Sequence, residues 1–374
     1  MKANNKFLMR LRLIMVIIRK ELLATMKDPK SRFVLIMPVI IQGIVFGYAA
    51  TYNLDSVPYA LVDESHSHYA TEFIAHLDGS GIFERVATMQ GTADIASPID
   101  TGQAMIVIHI GQDFAERISR GETASVQVIT DGRNPVTADT AAGYVSSIAA
   151  TCSQELTGQK GLVTLVSRIW YNPNELTRWM FMPQLIGVLA LTQVMMLAGL
   201  SVARERENGT FDQLLVTPLQ PQEILIGKAV PPILVGVFQC TLMFLLALFW
   251  FRVPFAGSVG LLYLVIVVFL ISCVGIGLTI SAISATMQQV MVYNFTCMLP
   301  MILLSGLATP VANMPVWMQY FTYVNPLRFA LEALRRVYLE GASFGLIAGN
   351  FVPLLIITCI TMPVAAWMFR HKLA

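Results

Sequence analysis

The residues of this chain with the means to do chemistry are few, and they cluster. Arg204, Glu205, Arg206 and Glu207 stand in a row directly after 25 uncharged residues, in a chain of 374 of which only 13% are Asp, Glu, Lys or Arg. Gly209, Thr210, Phe211, Leu214, Leu215 and Pro218 follow in the same short segment. Neighbouring opposite charges suit ion pairing, and an exposed pair at the rim of a partner would contribute ~0–1 kcal/mol. Leu214 or Leu215 buried in a partner's groove would contribute about 1.5–3 kcal/mol each. His66, His68 and His76 raise metal binding as a second chemistry. Their spacing matches no strong ligand signature and no cysteine joins them, so solvated histidines at a helix start are the plainer reading.

Bond-making chemistry has no visible seat. There is no G-x-x-x-x-G-K-[ST] phosphate loop, since Gly227-Lys228 lacks the earlier glycine. The H-E-x-x-H and G-x-S-x-G patterns are missing too. No metal site is expected, and the chain is not expected to be an enzyme. Four of the five cysteines (Cys240, Cys273, Cys297, Cys359) fall in apolar runs. Cys152 reads as a small buried apolar residue rather than a reactive thiol.

The elements that must carry these residues are mostly apolar. The chain is 55% hydrophobic with a mean hydropathy of +0.64. A bilayer-spanning helix needs about 20 mostly apolar residues. Six stretches meet or approach that: Phe33–Tyr52, Trp179–Ala203, Ala229–Phe251, Val259–Ile283, Val290–Ala308 and Ala348–Phe369. None contains Asp, Glu, Lys, Arg or His. An α-helical membrane protein with six transmembrane helices is therefore expected. Residues 1–32 hold nine Lys and Arg against Glu21 and Asp28, and Arg370 and Lys372 lie near the other end. The excess of basic residues puts both termini on the cytoplasmic side of a plasma (cell inner) membrane. Proton coupling is not expected without an acid or His in a span.

Residues 53–178 then lie outside, with fifteen acidic against seven basic side chains. They alternate strand-like and helix-like patterns. Pro58–Val62, Ala104–Ile110 and Ser125–Thr130 read as strands, and Tyr69–Leu77, Asp113–Arg120 and Thr137–Leu165 as helices. The expectation is a compact α/β extracytoplasmic domain inserted between the first and second spans. Before the first span, Phe7, Leu11, Ile14, Ile18 and Leu22 repeat at helical spacing among basic residues. That predicts an amphipathic helix over 1–32 lying on the inner membrane surface, ended by Asp28-Pro29; a frayed basic tail that only sets topology is the alternative. The apolar run Leu13–Ile18 is too short for the core of a cleavable signal peptide.

Residues 204–228 fall between the second and third spans. Gly209 suits the end of the second helix. Thr210-x-x-Gln213 has the pattern of a capping box, so a new helix starts near Phe211 and ends near Thr217, before Pro218. Pro221 fits the first turn of the next helix. A two-turn helix is too short to stand alone in water. It leans either on the lipid interface or on a soluble partner.

The stretch ARERENGTFDQLLVTPLQPQEILIGK resembles the signature of type-2 ABC exporter permeases, in which charges and Gly-Thr precede a short coupling helix ending in Thr-Pro. IIRKELLATMKDPKSR is similar to that family's N-terminal interfacial helix. YALVDES (59–65) and QVITDGRNP (127–135) resemble the large outer domain of its drug-efflux-like branch. LSGLATPVANM (304–314), Pro315, Trp317, Asn325-Pro326 and EALRRVYLEG (332–341) resemble its outer hairpin. Gln220 and Gln222 depart from it, standing where a basic residue is common.

The resemblance implies a half-permease that pairs with a second copy or a close homologue to enclose a translocation pathway. Separate ABC ATPase subunits would dock on it, contacted by Glu205, Glu207 and residues 209–218. It implies no cofactor on this chain, with ATP and Mg held by those partners. It also implies re-entrant half-helices over 309–342, flanked by Ser305 and Gly306 and broken at Pro310, Pro315 and Pro326, with Trp317 at an interface. Glu332 pairing with Arg335 or Arg336 would be worth ~0.2–0.5 kcal/mol if exposed, a structural rather than substrate contact. Membrane lipids are expected neighbours and a periplasmic adaptor a further candidate partner; nucleic acid is not. Two readings of another class compete: an ATP-independent channel or lipid-facing scaffold, and a transmembrane sensor using the outer domain. The sensor lacks room for a cytoplasmic signalling module, and the channel leaves the capped segment unexplained.

Overall fold

The computed structural model describes residues 2–27, 29–49, 54, 56–92, 95–131, 135–157, 177–209 and 220–371. The chain divides into two compact units, Met1–Ala50 with Arg178–Ala374, and Thr51–Thr177. The first is helical and opens with α1 (Lys2–Lys27) and α2 (Pro29–Ala49). Pro29 suits a first helical turn, where a missing N–H costs nothing, so one helix stops and the next starts at this point.

The second unit is a four-stranded sheet of β1 (Val57–Asp63), β2 (Phe83–Met89), β3 (Ile106–Ile110) and β4 (Val126–Thr130), in the order β2-β1-β3-β4. β1 runs parallel to both neighbours and β4 antiparallel to β3. The helices are α3 (His68–Gly79), α4 (Ser97–Asp100), α5 (Phe114–Ser119) and α6 (Pro135–Thr157). Strand residues alternate between two cores, as a period of two requires. Val57, Tyr59, Leu61, Ile106, Ile108 and Ile110 pack with Phe73, Leu77, Val145 and Cys152. Ala60, Val62 and Val107 face the other way, toward Ala104 and Ile99. The buried Tyr59 hydroxyl donates to Asp78 at 2.5 Å, and Arg85 closes on the same carboxylate at 2.6 Å. Burial first, and then Asp78, push the Tyr59 phenol pKa up. Cys152 is buried, and its thiol pKa is raised by desolvation and then by Glu72 and Glu155. It is the inert residue its context suggested.

The helical unit continues with α7 (Thr177–Glu207), α8 (Pro221–Leu245, extended by a π turn over Leu246–Trp250), α9 (Val259–Ile283) and α10 (Met287–Leu303). α11 (Val316–Phe321), α12 (Pro326–Glu340) and α13 (Phe344–His371) complete it. Among the described residues, four helical segments are long and apolar enough to cross a membrane: Thr177–Glu207, Gln222–Trp250, Val259–Ile283 and Phe344–Met368. The remaining apolar stretches of the sequence lie on α2, whose apolar part is Leu35–Tyr48, and on the 17-residue α10.

α7 runs through the core, with Met182, Leu185, Ile186, Leu189 and Val194 almost fully buried. Glycines let its neighbours approach closely, as small residues do in membrane bundles. Gly277 of α9 faces the Met195 carbonyl and Ala198, while Gly275 faces Thr361 of α13. Ser281 donates to the Gly199 carbonyl.

Candidate functional site

Among the described residues, the ion pairs that tie distant parts of the helical unit together meet at the end of α7 and the start of α8, the two helices flanking residues 210–219. Lys228, with its side chain 1% exposed, sits about two turns into α8. Its Nζ lies 2.8 Å from Glu205 Oε2 of α7 and 3.2 Å from Glu21 Oε1 of α1, and donates to the Ser201 carbonyl at 3.0 Å. Lys20 of α1 reaches the other Glu205 oxygen at 3.2 Å. Two lysines and two glutamates thus form a neutral cluster spanning three helices. Ile17 of α1 packs on Gly227 of α8 beside it. A cavity of about 40 Å³ adjoins the cluster, edged by Glu21, Ser201, Arg204 and Lys228, polar enough for water. Lys228 and Glu205, the two buried members, each keep one opposite charge if a single partner is withdrawn, and only loss of both would strand a buried charge, at a cost of ~3–5 kcal/mol.

Two further residues of the charged row reach the next helix turn. Arg206 donates to the Ser284 carbonyl at 3.1 Å, at the end of α9. Glu207 accepts from the Met287 N–H at 3.0 Å, at the start of α10. Each charge has the sign that its helix terminus favours. The row therefore joins α1, α7, α8, α9 and α10 at one end of the unit. Only Glu207 of the two glutamates is exposed; Glu205 is buried and committed to lysines, which removes it from any solvent-facing rim.

Gly209 adopts the left-handed conformation (φ 67°) and its N–H bonds to the Arg206 carbonyl at 3.1 Å, ending α7. Thr210, Phe211, Leu214, Leu215 and Pro218 lie outside the described residues. Pro221 opens α8 after the N-cap Gln220, and Glu223 reaches back to accept from the Gln220 N–H at 2.8 Å. Glu223 also meets Arg10 of α1 at 3.6 Å. Sequence reasoning found neither this cap nor the node around Lys228. The one signal was Lys228 itself, a lone charge before 23 uncharged residues.

The hairpin residues form a different arrangement. Ser305 is buried, its hydroxyl donating to Ile302 at 2.6 Å and accepting from the Leu307 N–H at 3.3 Å. Gly306 turns the chain with φ 89°. Pro310 and Pro315 precede the short helical turns Val311–Asn313 and α11. Asn325 caps α12, accepting from Leu327 N–H at 3.0 Å and donating to the Met301 carbonyl at 2.7 Å, with Pro326 buried in the first turn. Gly341 closes the same helix in the left-handed conformation. Trp317, Tyr320 and Phe321 are exposed. Glu332 pairs with Arg336 at 2.8 Å, leaving Arg335 exposed. Arg328, which the sequence did not single out, lies 4.7 Å from the centre of the Tyr323 ring and donates to the Thr322 hydroxyl.

Of the three histidines singled out in the sequence, two lie on α3 and one just before it. His66 has a left-handed backbone (φ 43°), His68 starts α3 and His76 meets Glu155 of α6 at 3.0 Å.

The sequence from 30 to 368 matches the model of a family described as ABC-2 family transporter protein. The chain is 40% identical over 359 residues to the probable multidrug ABC transporter permease YbhR of Escherichia coli (strain K12), covering 95% of this chain and 98% of that protein. To the probable multidrug ABC transporter permease YbhS of the same organism it is 28% identical over 357 residues, 94% and 92% of the two chains. The linearmycin resistance permease protein LnrN of Bacillus subtilis (strain 168) is more distant, at 22% over 379 residues and 93% and 97%.

Proposed function

The chain belongs to the ABC-2 family of transporter proteins, and from that premise we propose that it is the membrane-spanning permease subunit of an ATP-driven exporter. Two copies, or one copy with a close homologue, enclose the pathway. Separate ATPase subunits hold ATP and Mg and dock against residues 204–228. Six helices span the inner membrane: the four long apolar ones together with α2 and α10. Both termini and residue 217 lie in the cytoplasm, and the α/β unit lies outside. Apolar or amphipathic cargo, such as drugs or lipids, suits an uncharged pathway.

One observation carries this reading. A segment that converts ATPase closure into helix movement must be fastened to the spans on both sides. Glu205 and Lys228 fasten α7 to α8 across residues 210–219, and Lys20 and Glu21 bring α1 into the same node. A pull on 210–219 then reaches three helices together, and Arg206 and Glu207 extend it to α9 and α10.

Reconstitution in lipid with the cognate ATPase tests the proposal. The ATPase should co-purify and turn over faster with this chain than alone. The purified chain by itself should hydrolyse no ATP, lacking a phosphate-cradling loop. Turnover co-eluting with the pure chain, or failure to bind an ATPase, would overturn it. Labelling of a cysteine at 217 by an impermeant reagent in intact cells would sink the topology.

A further inference from the structure

A cleft of about 780 Å³ opens between the first turns of α8 and the last turns of α13. That volume lies in the range of small-molecule sites. Leu225 and Ile226 wall it on one side and Met362 and Ala366 on the other. Its rim is polar, made by Gln222 on α8 and by Arg370 and His371 on α13. The walls lie within the apolar segments Gln222–Trp250 and Phe344–Met368, and Arg370 lies just beyond the second. The cleft therefore changes from apolar to basic where a span leaves the hydrocarbon. Trp367 marks the same depth: it is exposed, lines the cleft and stacks on His371 with ring centres 4.4 Å apart. Tryptophan concentrates at that boundary.

The charge of the rim selects the occupant. Among the described residues Arg370 has no ion pair or hydrogen bond, and no carboxylate lines the cleft. The nearest acid along α8, Glu223, is turned to Arg10 and the Gln220 N–H. We propose that this cleft binds one anionic glycerophospholipid of the adjoining leaflet, with its acyl chain along Leu225 and Met362 and its phosphate at Arg370. The site lies beside the node, so a bound lipid would brace α8 against α13 at the end where the 210–219 segment joins.

Lipid retention reads this out on the full chain, without an ATPase and so independently of coupling. The protein is placed in nanodiscs of phosphatidylcholine containing phosphatidylglycerol, extracted, and its carried lipids counted by native mass spectrometry. Phosphatidylglycerol should be retained in preference. Arg370→Gln should lower that retention about fivefold, the effect of one basic residue at an anionic surface, and Arg370→Lys should preserve it. Ala366→Trp, which fills the cleft without altering charge, should lower retention of every lipid. Matching elution profiles and unfolding midpoints would confirm that the variants fold. Equal retention of both lipids, full retention by Arg370→Gln, or cross-linking between chains through cysteines at 226 and 367 would overturn the proposal, the last by showing a second copy in the cleft.

Discussion

Lys228 finds its carboxylates on Glu21, 207 residues away, and on Glu205 across the 210–219 segment, whereas Asn325 caps a helix that starts at the next residue. Both groups hold the helical unit together through polar contacts. At the node the contacts are charged and buried and join separate helices. In the hairpin most are local, closing turns around Ser305, Pro315 and Asn325. Long-range charged contacts fail as a set, because the members share partners. Local caps fail singly. A node of the first kind suits a place where force must enter several helices together; the second suits a place that only has to keep its shape.

Five single substitutions and one double variant test this contrast, with the most damaging first. Lys228→Met should be the most damaging, leaving the buried Glu205 with Lys20 alone and taking a lysine from Glu21, and lowering stability by ~3 kcal/mol in denaturant titrations of the detergent-solubilised chain. Lys228→Met combined with Glu205→Leu should recover most of that loss while export stays impaired. Recovery of export by the double variant would break the link between node and coupling.

Next comes the segment between the two helices. Leu214→Asp should cost about 1.5–3 kcal/mol or more of ATPase binding and abolish stimulation. Glu207→Gln should change little, because an exposed carboxylate at a helix start contributes ~0.3–1 kcal/mol and the amide oxygen still accepts from Met287. The reverse ranking in a pull-down titration would place Glu207 inside the docking contact.

In the hairpin, Asn325→Ala should lower stability by ~0.5–2 kcal/mol, the usual loss for one N-cap, and spare ATPase binding. Smallest of all, Glu332→Gln should shift the unfolding midpoint by an amount corresponding to ~0.2–0.5 kcal/mol, since its partner Arg336 is also partly exposed. A large effect on transport from Glu332→Gln would show that the hairpin is more than a set of local closures.

What could be read from the sequence follows the same division. Local signals were legible: Gly209 ends α7, Pro221 starts α8, and the strand-like runs Pro58–Val62 and Ser125–Thr130 mark strands β1 and β4. β2 was missed because Glu84 and Arg85 stand side by side on an edge strand, where neither face is fully buried and the alternation is lost. The predicted strand from Ala104 starts two residues late, at Ile106: the Ala104 N–H still bonds back to Pro98 of the preceding turn, and Met105 meets Pro58 and Asp131 at the edge of the ladder. In the charged row the residue types pointed to ion pairing but not to its direction. Nothing in the local pattern says that Glu205 turns inward to Lys20 and Lys228 while Glu207 stays at the surface, because those partners are set by how α1, α7 and α8 pack. The choice of Arg336 over Arg335 for Glu332 was left open for the same reason and settled by the helix face each occupies.

The 185 residues between Lys20 and Glu205 also set a timetable for synthesis. At ~5–20 residues per second, roughly 10–40 s pass between the making of the two. During that interval α1 exists without α7 and α8, which carry Glu205 and Lys228. On the topology proposed above, its basic residues would meanwhile face anionic headgroups, and the arrival of Glu205 and Lys228 would exchange those contacts for internal ones. Depletion of anionic lipid should then slow assembly before it weakens the finished protein.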